Sequence, residues 1–174
     1  ARMPEHELKS VDVTKIVRDA VTLQEAGQPE VKIVASIPNA PIIADLDCTM
    51  ISQALTNLIK NAGEAIETYI EKGGQDVVPE VRVALSMEND TAFVTIEDNG
   101  IGLPEDRAKL FEPYVTTRDK GTGLGLPIVK KIIEEHGGTL TLSNAEPFDE
   151  SGRVGAKATI KLPLATAVAN KIPA

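Results

Sequence analysis

Hydrophobic residues recur along the chain with two different periods, and these periods predict which segments form helices and which form strands. Apolar positions spaced by three or four residues predict helices at 11–26, 47–72 and 127–136. Apolar–polar alternation or a short apolar run predicts strands at 31–37, 42–44, 78–87, 91–96, 139–142 and 156–163. This order of elements predicts an α+β fold, a two-layer sandwich in which helices cover one face of a mixed β-sheet.

Residues that begin and end helices support these boundaries. Asp12 suits the N-cap of the first helix, and Gly27 suits its end. Pro127 suits the first turn of the third helix, and Gly137 follows its last apolar position. The helical assignments therefore rest on capping chemistry as well as on periodicity.

The segment between the predicted strand 91–96 and the third helix shows neither the helical nor the strand period. Residues 104–122 lack periodicity, and so long an irregular segment within a compact domain is typical of a mobile lid or binding loop. We expect a lead-in at 1–10, one domain at 11–164 and a flexible tail at 165–174.

The stretch 97–103, with the sequence EDNGIGL, begins where a predicted strand ends. Asp98 would stand at the strand end, where its carboxylate can accept a hydrogen bond from an amino group. Gly100 and Gly102 would let the backbone approach a flat ligand, because glycine has no Cβ. The same residues are also typical of an ordinary Asn-Gly hairpin turn. This stretch alone therefore leaves open whether it is a ligand-binding turn or a hairpin turn.

A polar stripe runs beside the apolar face of the long helix and consists of Gln53, Asn57, Asn61 and Glu64. Asn is a poor helix former, and a spacing of four residues places Asn57 and Asn61 on one face, one turn apart. Either the two amides bind the backbone of a neighbouring loop, or they point into a ligand site. Glu64 is expected to be solvated.

Residues 121–126 have the sequence GTGLGL and lead directly into the third helix. Free amides and the positive end of the helix dipole make such a turn a candidate anion site. It is not a Walker loop, because no Gly-Lys-Ser/Thr follows it. It also departs from the dinucleotide-binding fingerprint, because Leu126 stands in place of the third glycine.

Charge and cysteine content exclude several classes of site. The net charge of −8 argues against a groove for duplex nucleic acid, so we expect no nucleic-acid partner. Anionic ligands would then need local backbone amides, a few Lys or Arg side chains, or a metal. Cys48 is the single cysteine, which excludes an internal disulfide and a cysteine zinc cluster. No apolar run approaches 18 residues, so any membrane anchor is expected outside this stretch.

Four stretches, in this order, resemble the sequence boxes of one family. Residues 53–65 resemble the N box, 98–102 the first glycine box, 110–114 the F box and 121–126 the second glycine box. The family is the ATP-binding catalytic domain of bacterial two-component sensor histidine kinases, with the Bergerat (GHKL) fold shared with gyrase, Hsp90 and MutL. The NAGEA and TTRDKGTGLGLPIVKKI runs most resemble the nitrogen-regulation branch, NtrB and NtrY.

The resemblance implies a site for ATP and Mg²⁺. It implies that Asp98 bonds the adenine amino group, that Asn61 holds the Mg²⁺, and that Asn57 stands where ATP-hydrolysing relatives carry a catalytic Glu. Asn57 and Asn61 are thus the expected catalytic residues. Further nucleotide contacts are implied for Lys60, Gly100, Gly102, Thr117, Arg118, Gly121, Thr122, Gly123, Leu124, Gly125 and Leu126.

The implied activity is transfer of the ATP γ-phosphoryl group to a histidine on a dimerisation segment outside this chain. The implied partners are that dimerisation and phosphoacceptor domain, a second copy in a full-length homodimer, and a response regulator. The domain is expected in the cytoplasm, with inner-membrane anchoring only through segments outside it. A nucleotide-binding conformational switch and a Ser/Thr anti-sigma-type kinase on the same fold remain alternatives.

Four residues depart from the family pattern or allow two interpretations. His6 lacks the Asn or Thr and the Pro of a phosphoacceptor motif, so we do not expect it to be phosphorylated. Phe111 either anchors the lid or is an ordinary core aromatic. Ala156 stands where several relatives have a Thr near the adenine. His136 is expected to interact with the helix C-terminal dipole rather than to act as a base.

Overall fold

The computed structural model describes residues 7–74, 77–106, 110–111 and 125–164. The helices are α1 (Val13–Gly27), α2 (Cys48–Glu71) and α3 (Leu126–Glu135). The strands are β1 (Lys9–Asp12), β2 (Lys32–Ser36), β3 (Ile43–Leu46), β4 (Glu80–Glu88), β5 (Thr91–Asp98), β6 (Thr139–Asn144) and β7 (Ala156–Pro163). Every helix and strand predicted from periodicity is present.

Five strands form the main sheet in the order β2-β4-β5-β7-β6. Strands β2 and β4 run parallel and the other neighbours antiparallel, so the predicted mixed sheet is confirmed. Helix α1 packs on β2 and β4, α2 on β4 and β5, and α3 on β6, with α2 between the other two helices. Alternate strand residues are buried beneath these helices, which gives the predicted two-layer α+β sandwich.

The register of β5 decides where its last residue points. Ala92, Val94, Ile96 and Asp98 alternate along the strand, and all four are at most 4% exposed. Side chains two residues apart share one face of a strand, so Asp98 lies on the helix-covered face with the apolar core. A carboxylate therefore lies at the edge of the core, beside α2.

Strand β1 was not predicted, because Lys9 and Ser10 lie in the expected lead-in and Val11 and Asp12 were assigned to the start of the first helix. It pairs antiparallel with β3, with Ser10 opposite Asp45 and Asp12 opposite Ile43. A strand of four residues such as β1 carries too few apolar positions to show a period. Its pairing with β3 depends on contacts between segments about 30 residues apart, which local patterns do not report.

Side-chain caps define the first residues of α1 and α2. The Asp12 Oδ1 accepts hydrogen bonds from the Thr14 amide at 3.0 Å, the Thr14 hydroxyl at 2.7 Å and the Ile42 amide at 3.1 Å. Because the cap is the last residue of β1, α1 begins at Val13, two residues later than periodicity predicted. Asp47 Oδ1 caps α2 by accepting from the Met50 amide at 3.1 Å.

None of the helices described here is both long enough and apolar enough to cross a bilayer. The expected tail at 165–174 and His6 lie outside the described residues.

Candidate functional site

A cavity of about 300 Å³ opens between α2, the end of β5 and the start of α3. In the part of the chain that the structure describes, its walls are mostly apolar with four polar side chains: Asn61 and Thr68 from α2, Lys72 at the C-cap of α2, and Asp98 from β5. The apolar wall consists of Leu58, Ala62, Ala65, Ile96, Ile101, Leu103, Pro104, Leu110, Leu126, Leu142, Ala156 and Ala158, with Gly102 at the turn. Apolar walls with a few fixed polar groups are typical of a small-molecule site.

Asp98 is 4% exposed and is held by backbone amides. Its Oδ1 accepts from the Gly100 amide at 2.8 Å and from the Ala156 amide at 3.3 Å. Burying a carboxylate is costly unless hydrogen bonds compensate it, and these two amides compensate and orient it. The carboxylate is therefore a fixed acceptor in the wall of the cavity.

Close backbone approaches explain two glycines around Asp98. A Cβ on Gly100 would lie 2.5 Å from the Ala65 carbonyl carbon, because the turn packs directly on α2. The Ile101 amide donates to the Ala65 carbonyl at 3.0 Å and ties the turn to the helix. A Cβ on Gly155 would lie 2.8 Å from Asp98 Oδ1. Only glycine fits at either point. The turn that follows Asp98 is therefore packed against α2 at the edge of the cavity, and it is not a simple hairpin turn.

The polar stripe on α2 divides into residues inside and outside the cavity. Asn61 is half-buried and lines the cavity. Asn57 and Lys60 are half-buried beyond its walls, and the Asn57 Nδ2 donates to the Gln53 carbonyl at 2.8 Å. Glu64 is also half-buried rather than fully solvated.

The second glycine box is described only at its end. Gly125 is the N-cap of α3, and its carbonyl accepts from the Val129 amide at 3.1 Å. Leu126 lines the cavity, which places the start of α3 at the site. The predicted contacts Thr117, Arg118, Gly121, Thr122, Gly123 and Leu124 lie outside the described residues, as does most of the expected lid.

The family comparison places these elements in one known pattern. Residues 47–166 match the model of the histidine kinase-, DNA gyrase B- and HSP90-like ATPase family. The match covers more than half of the chain and includes α2, the Asp98 stretch and α3. The chain belongs to this family.

Named relatives of this ATPase family support the branch indicated by the sequence. Nitrogen regulation protein NtrY of Azorhizobium caulinodans is 48% identical over 147 residues. These residues are 83% of this chain and 18% of the relative, so the chain spans less than a fifth of that protein's length. The predicted resemblance to NtrY-type sensor histidine kinases is confirmed.

Solved structures of the ATPase family agree with the fold. The nucleotide-free catalytic domain of histidine kinase ThkA superposes with a TM-score of 0.75 at 26% identity, over 91% of this chain and 96% of that domain. Full-length ShkA in complex with AMPPNP gives a TM-score of 0.71 at 26% identity, over 96% of this chain and 33% of ShkA.

Sequence reasoning missed Thr68, Lys72 and Arg153 in this ATPase domain. Asn61, Thr68 and Lys72 are spaced by seven and four residues, so the helical period could have placed all three on one face. Arg153 lies in a polar loop and donates to the carbonyls of Asn99 and Gly100, each at 2.6 Å. No local pattern in the sequence connects that loop with the turn.

The remaining sequence hypotheses concern residues near α3. Phe111 packs against the core and lies beneath the Lys130 ammonium, 4.8 Å from its ring centroid. Ala156 lines the cavity, where a Thr was expected in some relatives. His136 donates from Nδ1 to the Ile132 carbonyl in the last turn of α3, at 2.7 Å.

The second nitrogen of His136 makes a long-range hydrogen bond. Nε2 accepts from the Asp47 amide at 3.1 Å, so the ring links the end of α3 to the start of α2. The side chain contacts the helix C-terminus as expected.

Proposed function

We propose that this domain binds Mg-ATP in the cavity and donates the γ-phosphoryl group to a histidine on a dimerisation segment outside the chain. The observation that carries the proposal is the buried Asp98 carboxylate, fixed by two amides in the wall of a mostly apolar cavity. This combination provides one directed acceptor and apolar surfaces for a flat base. Membership of the ATPase family makes ATP the candidate ligand.

The Asp98 carboxylate would select adenine over guanine. Adenine carries an exocyclic amino donor at the position where guanine carries a carbonyl acceptor. Two acceptors facing each other without a shared hydrogen repel, and each loses its bond to water, so guanine would bind more weakly. The side chains of Ile96, Ile101 and Ala156 would cover the faces of the base.

Magnesium fits this site only with help from the nucleotide. The described residues contain no group of three His, Cys, Asp or Glu side chains that could hold a metal. Mg²⁺ usually takes one or two protein ligands and completes its shell with phosphate oxygens and water, so the Asn61 amide oxygen is a sufficient protein ligand. When bound, Mg²⁺ would offset the negative charge of the phosphates, and Lys60 would add to this effect.

The residues favour transfer over hydrolysis. An amide cannot act as a general base, and Asn57 is an amide whose nitrogen donates to the Gln53 carbonyl. Phosphoryl transfer depends mainly on positioning and charge stabilisation, which α2 and the start of α3 would supply. Activation of the acceptor imidazole would fall to a group on the missing segment.

The whole protein is proposed to work in two-component signalling connected with nitrogen regulation. The named relative NtrY supports this, although the chain spans 18% of it. The proposal includes a homodimer that presents the phosphoacceptor histidine and a response regulator that receives the phosphoryl group. It also places this domain in the cytoplasm, with any membrane anchor in other segments.

Calorimetric titration with ATP and GTP, each with and without Mg²⁺, tests the nucleotide proposal. We expect ATP to bind, GTP to bind much more weakly, and Mg²⁺ to tighten ATP binding. Equal binding of both nucleotides would contradict the role of Asp98.

A second experiment identifies the acceptor. The chain is mixed with a histidine-bearing dimerisation segment of a related kinase and with γ-labelled ATP. We expect label on histidine, which is lost in acid. Label on serine would favour the anti-sigma-type kinase, and nucleotide binding without label on any segment would favour a conformational switch.

A further inference from the structure

Arg153 holds the turn that orients Asp98, although it stands outside the cavity walls. Its Nη1 donates to the Gly100 carbonyl and its Nη2 to the Asn99 carbonyl, both at 2.6 Å. Its guanidinium carbon lies 3.9 Å from the ring centroid of Tyr69 on α2. One side chain thus joins the loop before β7, the turn after β5 and the long helix.

The two carbonyls belong to consecutive peptide groups. The first group pairs the Asn99 carbonyl with the Gly100 amide, and that amide donates to Asp98 Oδ1 at 2.8 Å. The second pairs the Gly100 carbonyl with the Ile101 amide, which donates to the Ala65 carbonyl at 3.0 Å. Each planar group is held at both ends, and the guanidinium fixes the two planes together.

The Arg153 residue is itself anchored at two points, at its guanidinium by the Tyr69 ring and at its backbone by Ser151. Gly74 lies so close to Tyr69 that a Cβ there would be 2.6 Å from the ring Cζ, so the ring has little room to move. The Arg153 amide donates to the Ser151 hydroxyl at 3.1 Å, and the Ser151 amide donates to the Asp149 carboxylate at 2.9 Å. Arginine suits this place because its planar fork can bond two carbonyls while stacking on an aromatic ring.

We propose that Arg153 is a positioning residue for base recognition, which sets the orientation of the Asp98 carboxylate and thereby the preference for adenine over guanine nucleotides. This rests on the proposed function, in which the cavity binds ATP. Without the guanidinium, the Asn99 carbonyl loses the bond that holds it, and the turn keeps only its bonds to Val78, Glu80 and Ala65, so the Gly100 amide fixes Oδ1 less firmly. The phosphate contacts proposed for α2 are unaffected, so the loss of binding affinity should come from weaker recognition of the base.

Arg82 offers a matched control. Its guanidinium also stacks on an aromatic ring, 3.7 Å from the centroid of Phe148, but it lies on β4 between the buried Val81 and Val83 and so faces away from the helices. Removing it deletes an arginine–aromatic contact of the same kind, together with the ion pair to Glu80, and it leaves the two bonds from Arg153 to the Asn99 and Gly100 carbonyls in place.

The experiment measures ATP and GTP affinities for the wild type, Arg153→Ala, Arg153→Lys and Arg82→Ala, by competition against a fluorescent ATP analogue. We expect Arg153→Ala to lose about tenfold in ATP affinity and at most about threefold in GTP affinity. Arg153→Lys should fall between, because an ammonium cannot reproduce the two-carbonyl fork, and Arg82→Ala should keep both affinities within about twofold.

Amide NMR spectra give a readout independent of nucleotide. In the nucleotide-free Arg153→Ala protein, the signals of Gly100 and Ile101 should move, while those of α1 should not. If Arg153→Ala does not fold, Arg153→Lys supplies the same comparison.

The outcomes separate the two proposals. A wild type that binds neither nucleotide overturns the proposed function and this inference with it. A wild type that prefers ATP, with a folded Arg153 variant of unchanged preference, overturns only the role of Arg153. Equal losses for ATP and GTP would show a merely structural role and would also overturn it.

Discussion

At the scale of single residues, the site depends on one polar side chain in an apolar register. Ala92, Val94 and Ile96 precede Asp98 on the same face of β5 and are buried against the helices. Asp98 continues this apolar row, so the free-energy cost of burying its carboxylate must be offset by hydrogen bonds. The Gly100 and Ala156 amides donate these bonds. Its place in the cavity wall follows from the period of the strand and not from the turn alone.

Replacing Asp98 with Asn should reverse its hydrogen-bonding preference while keeping the fold. The amide oxygen of Asn can still accept from Gly100 and Ala156, but its nitrogen would face the adenine amino group as a second donor. We expect ATP affinity to fall by about 1–3 kcal/mol and the preference over GTP to decrease. Titration of both nucleotides measures this, with the exposed Asp45→Asn as control, and an unchanged ATP affinity would contradict the adenine assignment.

Replacing Asn61 with Ala should remove the effect of Mg²⁺ on ATP binding. The described cavity offers few oxygen ligands besides Asn61, so the metal would lose its main protein contact. Calorimetry with and without Mg²⁺ measures the difference, and Gln53→Ala, on an exposed position of the same helix, serves as control. Mg²⁺ enhancement that persists in Asn61→Ala would place the metal elsewhere.

At the scale of elements, the site is formed where three of them meet closely. The turn after β5 packs on the backbone of α2, and the residue before β7 packs on the end of β5. Both contacts require glycine, at Gly100 and Gly155. A methyl group added at either glycine would push these elements apart. The short distances between the elements therefore determine the shape of the cavity.

Gly155→Ala should destabilise the domain and weaken nucleotide binding together. The added Cβ would meet the backbone and carboxylate of Asp98 at less than van der Waals distance, so β7 must move away from β5. We expect a loss of about 1–3 kcal/mol in the free energy of unfolding, measured with urea. Gly27→Ala is the control, because a Cβ there has open space, and it should change stability little. Equal effects of both substitutions would contradict the close approach.

At the scale of the whole molecule, side chains and backbone bonds connect the layers around α2. His136 links the end of α3 to the amide at the start of α2. Asp12 links α1 to the Ile42 amide just before β3, and β1 pairs with β3 beside it. These long-range contacts join the small two-stranded sheet to the helical layer, so their loss is expected to affect global unfolding.

Asp12→Ala should lower the free energy of unfolding by about 0.5–2 kcal/mol at pH 7 through loss of the helix cap. Burial raises the pKa of Asp12, but hydrogen bonds from Thr14 and Ile42 outweigh it and hold the pKa below its usual value. The stabilisation is therefore complete above the unfolded-state pKa of about 3.9 and is lost as the pH falls through the folded-state pKa.

Urea unfolding of the wild type and Asp12→Ala at pH 7 and at pH 3 measures this difference. The two proteins should differ less at the lower pH. Asp19→Ala, on an exposed position of α1, is the control. A difference that grows towards acid pH would contradict the direction of the Asp12 pKa shift.

The sequence by itself determined the order and type of the long elements, because the periods of α2, β4, β5 and β7 follow directly from their apolar positions. It also placed Asp98, Asn61 and Gly100 in one site, through boxes whose spacing is characteristic of the family. Local patterns were sufficient there, since the N box lies within α2 and the first glycine box within the end of β5 and the turn that follows it.

Only the tertiary structure decided which neighbours complete that site. The pairing of β1 with β3, the closeness of Gly155 to Asp98 and the bonds from Arg153 to the turn join segments far apart in the chain. Such contacts leave no local period, because the geometry of the folded layers creates them. The sequence therefore predicted the carboxylate and the amides, while the folded chain alone showed what holds them in place.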